Sequence, residues 1–90
     1  MHRIAREKLI EVCSELVGER LNVTTIGRRK EHVLVSARDG SKKSTFPNGH
    51  GKSIKEGSVP PGTAYSVIRA VSNGDKAMYE RGKKLLRSNR

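Results

Sequence analysis

The chain has 90 residues and carries 19 Lys and Arg against nine Asp and Glu, a formal net charge of +10 with a pI near 10.4. Hydrophobic residues make up 33%, and the aromatics are Phe46, Tyr65 and Tyr79, so the chain can bury one thin core of sheet against helix. That excludes a large catalytic barrel or a doubly wound nucleotide-binding sheet, and a single cysteine excludes a disulfide framework or a four-cysteine metal site.

A positive charge this large in so short a chain points to a polyanionic partner, above all nucleic acid. The excess is uneven. Residues 1–21 hold four basic and four acidic groups, whereas residues 22–60 hold eight and three and residues 61–90 hold seven and two. A polyanion is therefore expected on the middle and end of the chain. The opening residues lack an apolar stretch and no run approaches membrane-spanning length, so a soluble cytoplasmic protein is the expectation.

Residues 4–21 have helical spacing, with Ala5, Leu9, Val12, Cys13, Leu16 and Val17 on one face. Gly18 weakens the last turn or ends it early. Glu7, Glu11, Glu15 and Glu19 form an acidic stripe on another face. It is a solvated face, a docking face for a basic partner, or a strip that keeps nucleic acid off this side. Cys13 sits among the apolar positions and is expected to be buried and inert.

Leu21–Ile26 is β-branched and predicts a strand, followed by the basic turn Gly27-Arg28-Arg29-Lys30. His32–Ala37 predicts a second strand. Asp39-Gly40 signals a tight primed turn, and Lys42–Phe46 is the returning strand, stopped by Pro47. With Asp39 and Gly40 as the loop, Val33 faces Phe46 and Val35 faces Ser44. Val33, Val35, Ala37 and Phe46 then share one face, and His32, Leu34, Ser36, Arg38, Lys43 and Thr45 take the other.

Residues 47–62 are rich in Gly and Pro and predict a long loop. Thr63 is the expected N-cap of a helix over Ala64–Val71, with Ala64, Val67, Ile68 and Val71 inward. Ser72-Asn73-Gly74 ends it. Asp75 caps a last helix, Lys76–Arg87, whose apolar points are Met78, Tyr79, Leu85 and Leu86. The architecture expected is α+β: an α-β-β-β-α domain over residues 1–74, helices on one sheet face, with a basic C-terminal helix over 75–90.

Gly51-Lys52-Ser53 is not a nucleotide-phosphate loop, because the glycine required five places earlier is Phe46. The stretch either offers backbone N–H groups with Lys52 and Lys55 to a nucleic-acid phosphate or is a connector. His2, His32, His50 and Cys13 have no ligand spacing, so no metal and no cofactor is expected. Three aromatics, at least one of them in the core, cannot form a platform that stacks successive bases. Recognition should be led by phosphate and shape, which suits double-stranded or folded RNA, or duplex DNA.

His32 opens a strand just after Arg28-Arg29-Lys30. A histidine among cations can take the proton of an RNA 2′-hydroxyl, which then attacks the adjacent phosphate without a metal. An ordinary exposed strand histidine is the plainer alternative.

The element order resembles the HicA-type toxins, small mRNA interferases with a double-stranded-RNA-binding-like fold. The resemblance is carried by His32-Val-Leu-Val-Ser-Ala-Arg-Asp39-Gly40, Ser44-Thr-Phe-Pro47, His50, Gly51-Lys52-Ser-Ile54-Lys55-Glu-Gly57 and Gly62-Thr63-Ala-Tyr-Ser66-Val-Ile68-Arg69-Ala70, and covers residues 5–71. It implies that His32 is catalytic without metal and that a HicB-type antitoxin blocks the site. Against the family pattern, Lys30-Glu31 precede the histidine, Ser58-Val-Pro-Pro61 is an insertion, and the helix after residue 74 is an extension.

The expected function is RNA binding through Arg28, Arg29, Lys30, Arg38, Lys42, Lys43, Lys52 and Lys55, with cleavage by His32 as its sharper form. The alternative is a non-catalytic nucleic-acid-binding accessory or phage-type regulator that uses Lys76, Arg81, Lys83, Lys84, Arg87 and Arg90 of the last helix on RNA or DNA. A third class is a basic protein-interaction module, such as a small ribosome-associated or assembly factor.

Overall fold

A computed structural model describes residues 3–29, 31–47 and 57–87. The described elements are, in chain order, β1 (Ile4–Ala5), α1 (Arg6–Val17), β2 (Asn22–Ile26), β3 (His32–Ser36), β4 (Lys43–Pro47), β5 (Ser58–Val59), α2 (Pro61–Ser72) and α3 (Lys76–Arg87). The fold is α+β, three helices with antiparallel sheet, as the periodicities predict.

Strands β2, β3 and β4 form one sheet in that order. Thr25, Val33 and Phe46 lie side by side across it, as do Val23, Val35 and Ser44. The expected pairing of Val33 with Phe46 and Val35 with Ser44 is the one observed. These residues face the helices, and Val33, Val35 and Phe46 are buried in one cluster with Leu9, Val12, Cys13 and Leu16 of α1 and Ala64, Val67, Ile68 and Val71 of α2. By the two-residue period of a strand the other sheet face carries Asn22, Thr24 and Ile26, then His32, Leu34 and Ser36, then Lys43, Thr45 and Pro47. None of these nine is buried, and Ile26 is 38% exposed, so this face is open.

The β3–β4 connection departs from the tight primed turn. Only Gly40 has a positive φ there, +76°, whereas a two-residue type I′ turn needs two. Gly40 N donates to Ala37 O at 2.9 Å and Ala37 N donates to Lys42 O at 2.8 Å, giving a wider loop over 38–41. Both loops are centred between Asp39 and Gly40, which is why the register is unchanged.

The first helix is shorter than 4–21. Its first two residues are β1, and Gly18 ends it in the left-handed region, φ +84°, with its N–H on Ser14 O at 2.9 Å. Strand β1 pairs antiparallel with β5, Ile4 opposite Val59 and Ala5 opposite Ser58. Arg3 ties the ladder by donating from Nε to Ser58 Oγ at 2.8 Å and from Nη2 to Ser58 O at 2.9 Å. The stretch resembling an insertion is therefore partly sheet. Gly57, at φ +91°, passes the buried Arg6 so closely that a Cβ would stand 2.6 Å from Arg6 Nη2.

Helix α2 starts before the expected cap. Pro60 occupies the N-cap and Pro61 the first turn, and Ala64 N donates to Pro60 O at 3.1 Å, so Thr63 is already inside the helix. Proline suits that first position because it lacks an N–H that would go unmet and its φ is already helical. Asn73, at φ 50°, closes α2, and the Asp75 carboxylate accepts from Met78 N at 3.0 Å to open α3, both as expected. Helix α3 packs on α1 and α2. The contact is tight at Gly82, where a Cβ would collide with Ile68 and stand 2.8 Å from Leu16 Cδ1. No helix among the described residues is long and apolar enough to cross a membrane.

Candidate nucleic-acid interface

Six of the nine predicted site residues lie among the described residues: Arg28, Arg29, His32, Arg38, Lys42 and Lys43. Lys30, Lys52 and Lys55 lie outside them, as do His50 and Arg90. The sheet divides the six. Arg28 and Arg29 belong to the β2–β3 turn, at the end where Ile26, His32 and Pro47 stand abreast. Arg38, Lys42 and Lys43 belong to the β3–β4 end, where Asn22 and Ser36 stand beside Lys43. Four steps of strand separate the two ends, roughly 13 Å. The expected single patch is thus two basic ends with an open, nearly neutral face between them.

The His32 end is shaped by Glu31. Its carboxylate turns back over its own turn and accepts from Arg29 N at 2.9 Å. A Cβ on Gly27, at φ +98°, would run into that carboxylate. The hydrogen bond from its own backbone N–H, then the one from Arg29, hold the Glu31 carboxyl below its ordinary range. Arg28 and Arg29 are exposed and make no ion pair among the described residues. His32 is exposed on the open face, and among the described residues no hydrogen bond orients its ring.

The other end is partly occupied. Arg38 Nε stands 3.9 Å from Glu19 Oε2, and Arg38 N donates to the same oxygen at 3.3 Å. The Arg38 side chain is 84% exposed, so the pair adds little stability and competes weakly with a phosphate. Asp39 accepts from Ser41 Oγ at 2.6 Å and from Ser41 N at 2.9 Å, and these bonds lower its pKa.

The cations of α3 are more engaged with the protein. Arg81 pairs with Glu15 of α1 at 3.7 Å and Lys83 with Glu80 at 3.1 Å. The Tyr79 ring lies under Lys83 Nζ, 4.7 Å from its centroid, and under the Arg69 guanidinium of α2, 5.4 Å away. Of the expected acidic stripe, Glu7, Glu11 and Glu15 lie on α1 and Glu19 follows its end at Gly18; Glu15 is paired with α3 and Glu19 with the hairpin loop.

Among the described residues no three His, Cys, Asp or Glu gather as metal ligands. Cys13 is buried, and desolvation pushes its thiol up to about 12, which keeps it protonated and unreactive, as expected from its place in α1. Two features of the surface escaped the sequence pattern. The Arg69–Tyr79 contact joins two helices and has no local signal, although Tyr79 and Lys83 are already neighbours by their four-residue spacing. That β2 has no strand on its outer side among the described residues depends on strand order, which no single strand reveals.

Compared with protein-family models, with curated proteins and with solved structures, the chain matches none of them.

Proposed function

We propose that this protein binds folded or double-stranded RNA through its phosphates, using the two basic ends of the sheet as paired grips. The observation that carries this reading is an uncovered three-stranded face with exposed Arg28 and Arg29 at one end and Arg38 and Lys43 at the other. A separation of roughly 13 Å between them is on the order of a duplex groove width. No residue of the open face is Phe, Tyr or Trp, so base stacking does not supply the affinity. Binding should therefore fall steeply as salt rises, because neutralised phosphates release counterions. Filter binding of a labelled RNA hairpin at low and moderate salt tests this, with duplex DNA as competitor. A flat salt response overturns the reading.

The narrower reading is a HicA-type interferase with a HicB-type protein as antitoxin. One observation favours it: His32 is exposed at the same sheet end as Arg28 and Arg29. There the imidazole would take the 2′-hydroxyl proton. The 2′-oxygen would bond to phosphorus, and the 5′-oxygen would leave and take a proton from water, with the arginines balancing the phosphorane charge. Purified protein should then cut RNA in the presence of chelator, and His32→Ala should abolish cutting with affinity nearly unchanged. Equal cutting by the variant ends the catalytic claim and leaves the binding claim standing.

A further inference from the structure

Among the described residues no strand pairs with the outer edge of β2, whose backbone direction follows from the hairpin. Ala37 N donates to Lys42 O, so residues 37 and 42 form a hydrogen-bonded pair. Backbone direction alternates along a strand, so Val33 and Val35 bond towards β4 and His32, Leu34 and Ser36 bond towards β2. Their partners Asn22, Thr24 and Ile26 bond inward, and the N–H and C=O groups of Val23 and Thr25 point out of the sheet. Among the described residues no further backbone hydrogen bond reaches them.

The two edges of the sheet are treated differently. Edge strand β4 ends in Pro47 and carries Lys43, both of which discourage strand pairing. Edge strand β2, Asn-Val-Thr-Thr-Ile, has no proline and no charge. Beside it, between α1 and β2, lies a hollow of about 440 Å³. Ile10, Leu21 and Val23 give it an apolar lining, Glu7 and Glu11 are its exposed acidic groups, and Ser14 and the exposed cation Arg20 also line it. Glu15 and Glu19 of the same stripe are paired with Arg81 and Arg38, whereas Glu7 and Glu11 make no ion pair among the described residues.

We infer that the β2 edge and this groove are a docking surface for an extended segment of a partner protein whose every second residue, the set turned towards α1, includes both aliphatic residues and Lys or Arg. The segment adds a strand to β2 through Val23 and Thr25. The side chains it turns towards α1 place aliphatic groups on Ile10, Leu21 and Val23 and cations on Glu7 and Glu11. A second copy of this chain is the poorer occupant. Its own β2, Asn22–Ile26, carries no cation for Glu7 and Glu11, and each copy carries +10. Glu7 and Glu11 outnumber Arg20 in this groove, and on a protein of net charge +10 that local balance favours a basic segment over a polyanion.

The test selects seven-residue peptides from a random displayed library on the full chain and measures the synthesised winners by fluorescence anisotropy. Winners should carry both Val, Ile or Leu and Lys or Arg at positions two residues apart, on one face of the strand. Thr25→Pro removes an outward N–H without touching the β2–β3 ladder, and it should weaken binding about tenfold or more. Glu7→Lys with Glu11→Lys, at exposed helix positions, should weaken it as much. Affinity for the RNA hairpin should be unchanged by Thr25→Pro, which separates this surface from the nucleic-acid reading. A library without winners, acidic winners, or winners indifferent to both variants overturns the inference. So does a concentration-dependent dimer that Thr25→Pro abolishes, since the edge then belongs to a second copy.

Discussion

The two basic turns of the sheet are built alike and deployed differently. Each has a glycine at positive φ, Gly27 at +98° and Gly40 at +76°. Each has a carboxylate that accepts a backbone N–H two residues away, Glu31 from Arg29 and Asp39 from Ser41. In the first turn the acid is spent on backbone and leaves Arg28 and Arg29 without an ion pair among the described residues. In the second, Glu19, just past the end of α1, reaches across to Arg38. The lesson is that equal charge in sequence does not mean equal availability: a neighbouring element decides which cations a ligand can have.

The largest effect expected from this contrast is on RNA affinity. Arg28→Ala with Arg29→Ala should weaken binding of the RNA hairpin at least about tenfold, since a charged hydrogen bond contributes about 1.5–3 kcal/mol where it is made. The salt slope should drop by about two, one per lost phosphate contact. Arg38→Ala should do less than the Arg28/Arg29 double variant, since it removes one cation rather than two and that cation meets Glu19 in a weak exposed pair. Titration of all variants at several salt concentrations checks the order, and a dominant Arg38 would reverse the comparison.

A smaller effect is expected on stability. Gly40→Ala places a side chain in the left-handed region with open space around it and should cost about 1–2 kcal/mol. Gly27→Ala carries the same backbone cost and also drives the Glu31 carboxylate off Arg29 N, so it should cost more. Denaturant unfolding of the two variants measures the difference, and equal midpoints would show that the Glu31 bond adds nothing.

The smallest effect is on acid stability. Glu31 and Asp39 are held below their ordinary values of 4.5 and 3.8, chiefly by hydrogen bonds. A carboxylate whose pKa is lower folded than unfolded stabilises the fold above the unfolded value. That contribution is lost as pH falls through the folded one. The stability gap between wild type and Glu31→Gln with Asp39→Asn should therefore be widest near neutrality and narrow as pH drops below about 4. Both groups are exposed, so the change is shallow, and a gap that stays constant down to about pH 2 contradicts the assignment.

Much of the fold was legible because its signals are local. The apolar residues of α1 and α2 recur at helical steps, Asp75 has the chemistry of a cap, and Asp39-Gly40 marks the centre of a hairpin whose register then follows. The shorter pieces were not legible. A two-residue strand such as Ser58–Val59 has no measurable period, and its partner Ile4–Ala5 was absorbed into the helical pattern next to it. At the site, the sequence named Arg28, Arg29 and His32 as neighbours along the chain, and the hairpin keeps them at one end. It also grouped Arg38, Lys42 and Lys43 with them, and an antiparallel strand carries those to the other end.

The sequence alone determined the α+β class, the register of the β3–β4 hairpin, the buried face of each main helix and the cationic excess, because each follows from periodicity, turn chemistry or composition. Only the tertiary structure decided which cations are taken up by Glu15, Glu19 and Tyr79, that one sheet face stays open, and that among the described residues the β2 edge has no partner beside the groove holding Glu7 and Glu11. Those are relations between segments far apart in the chain, and they exist only once packing has set α1, α3 and the sheet against one another.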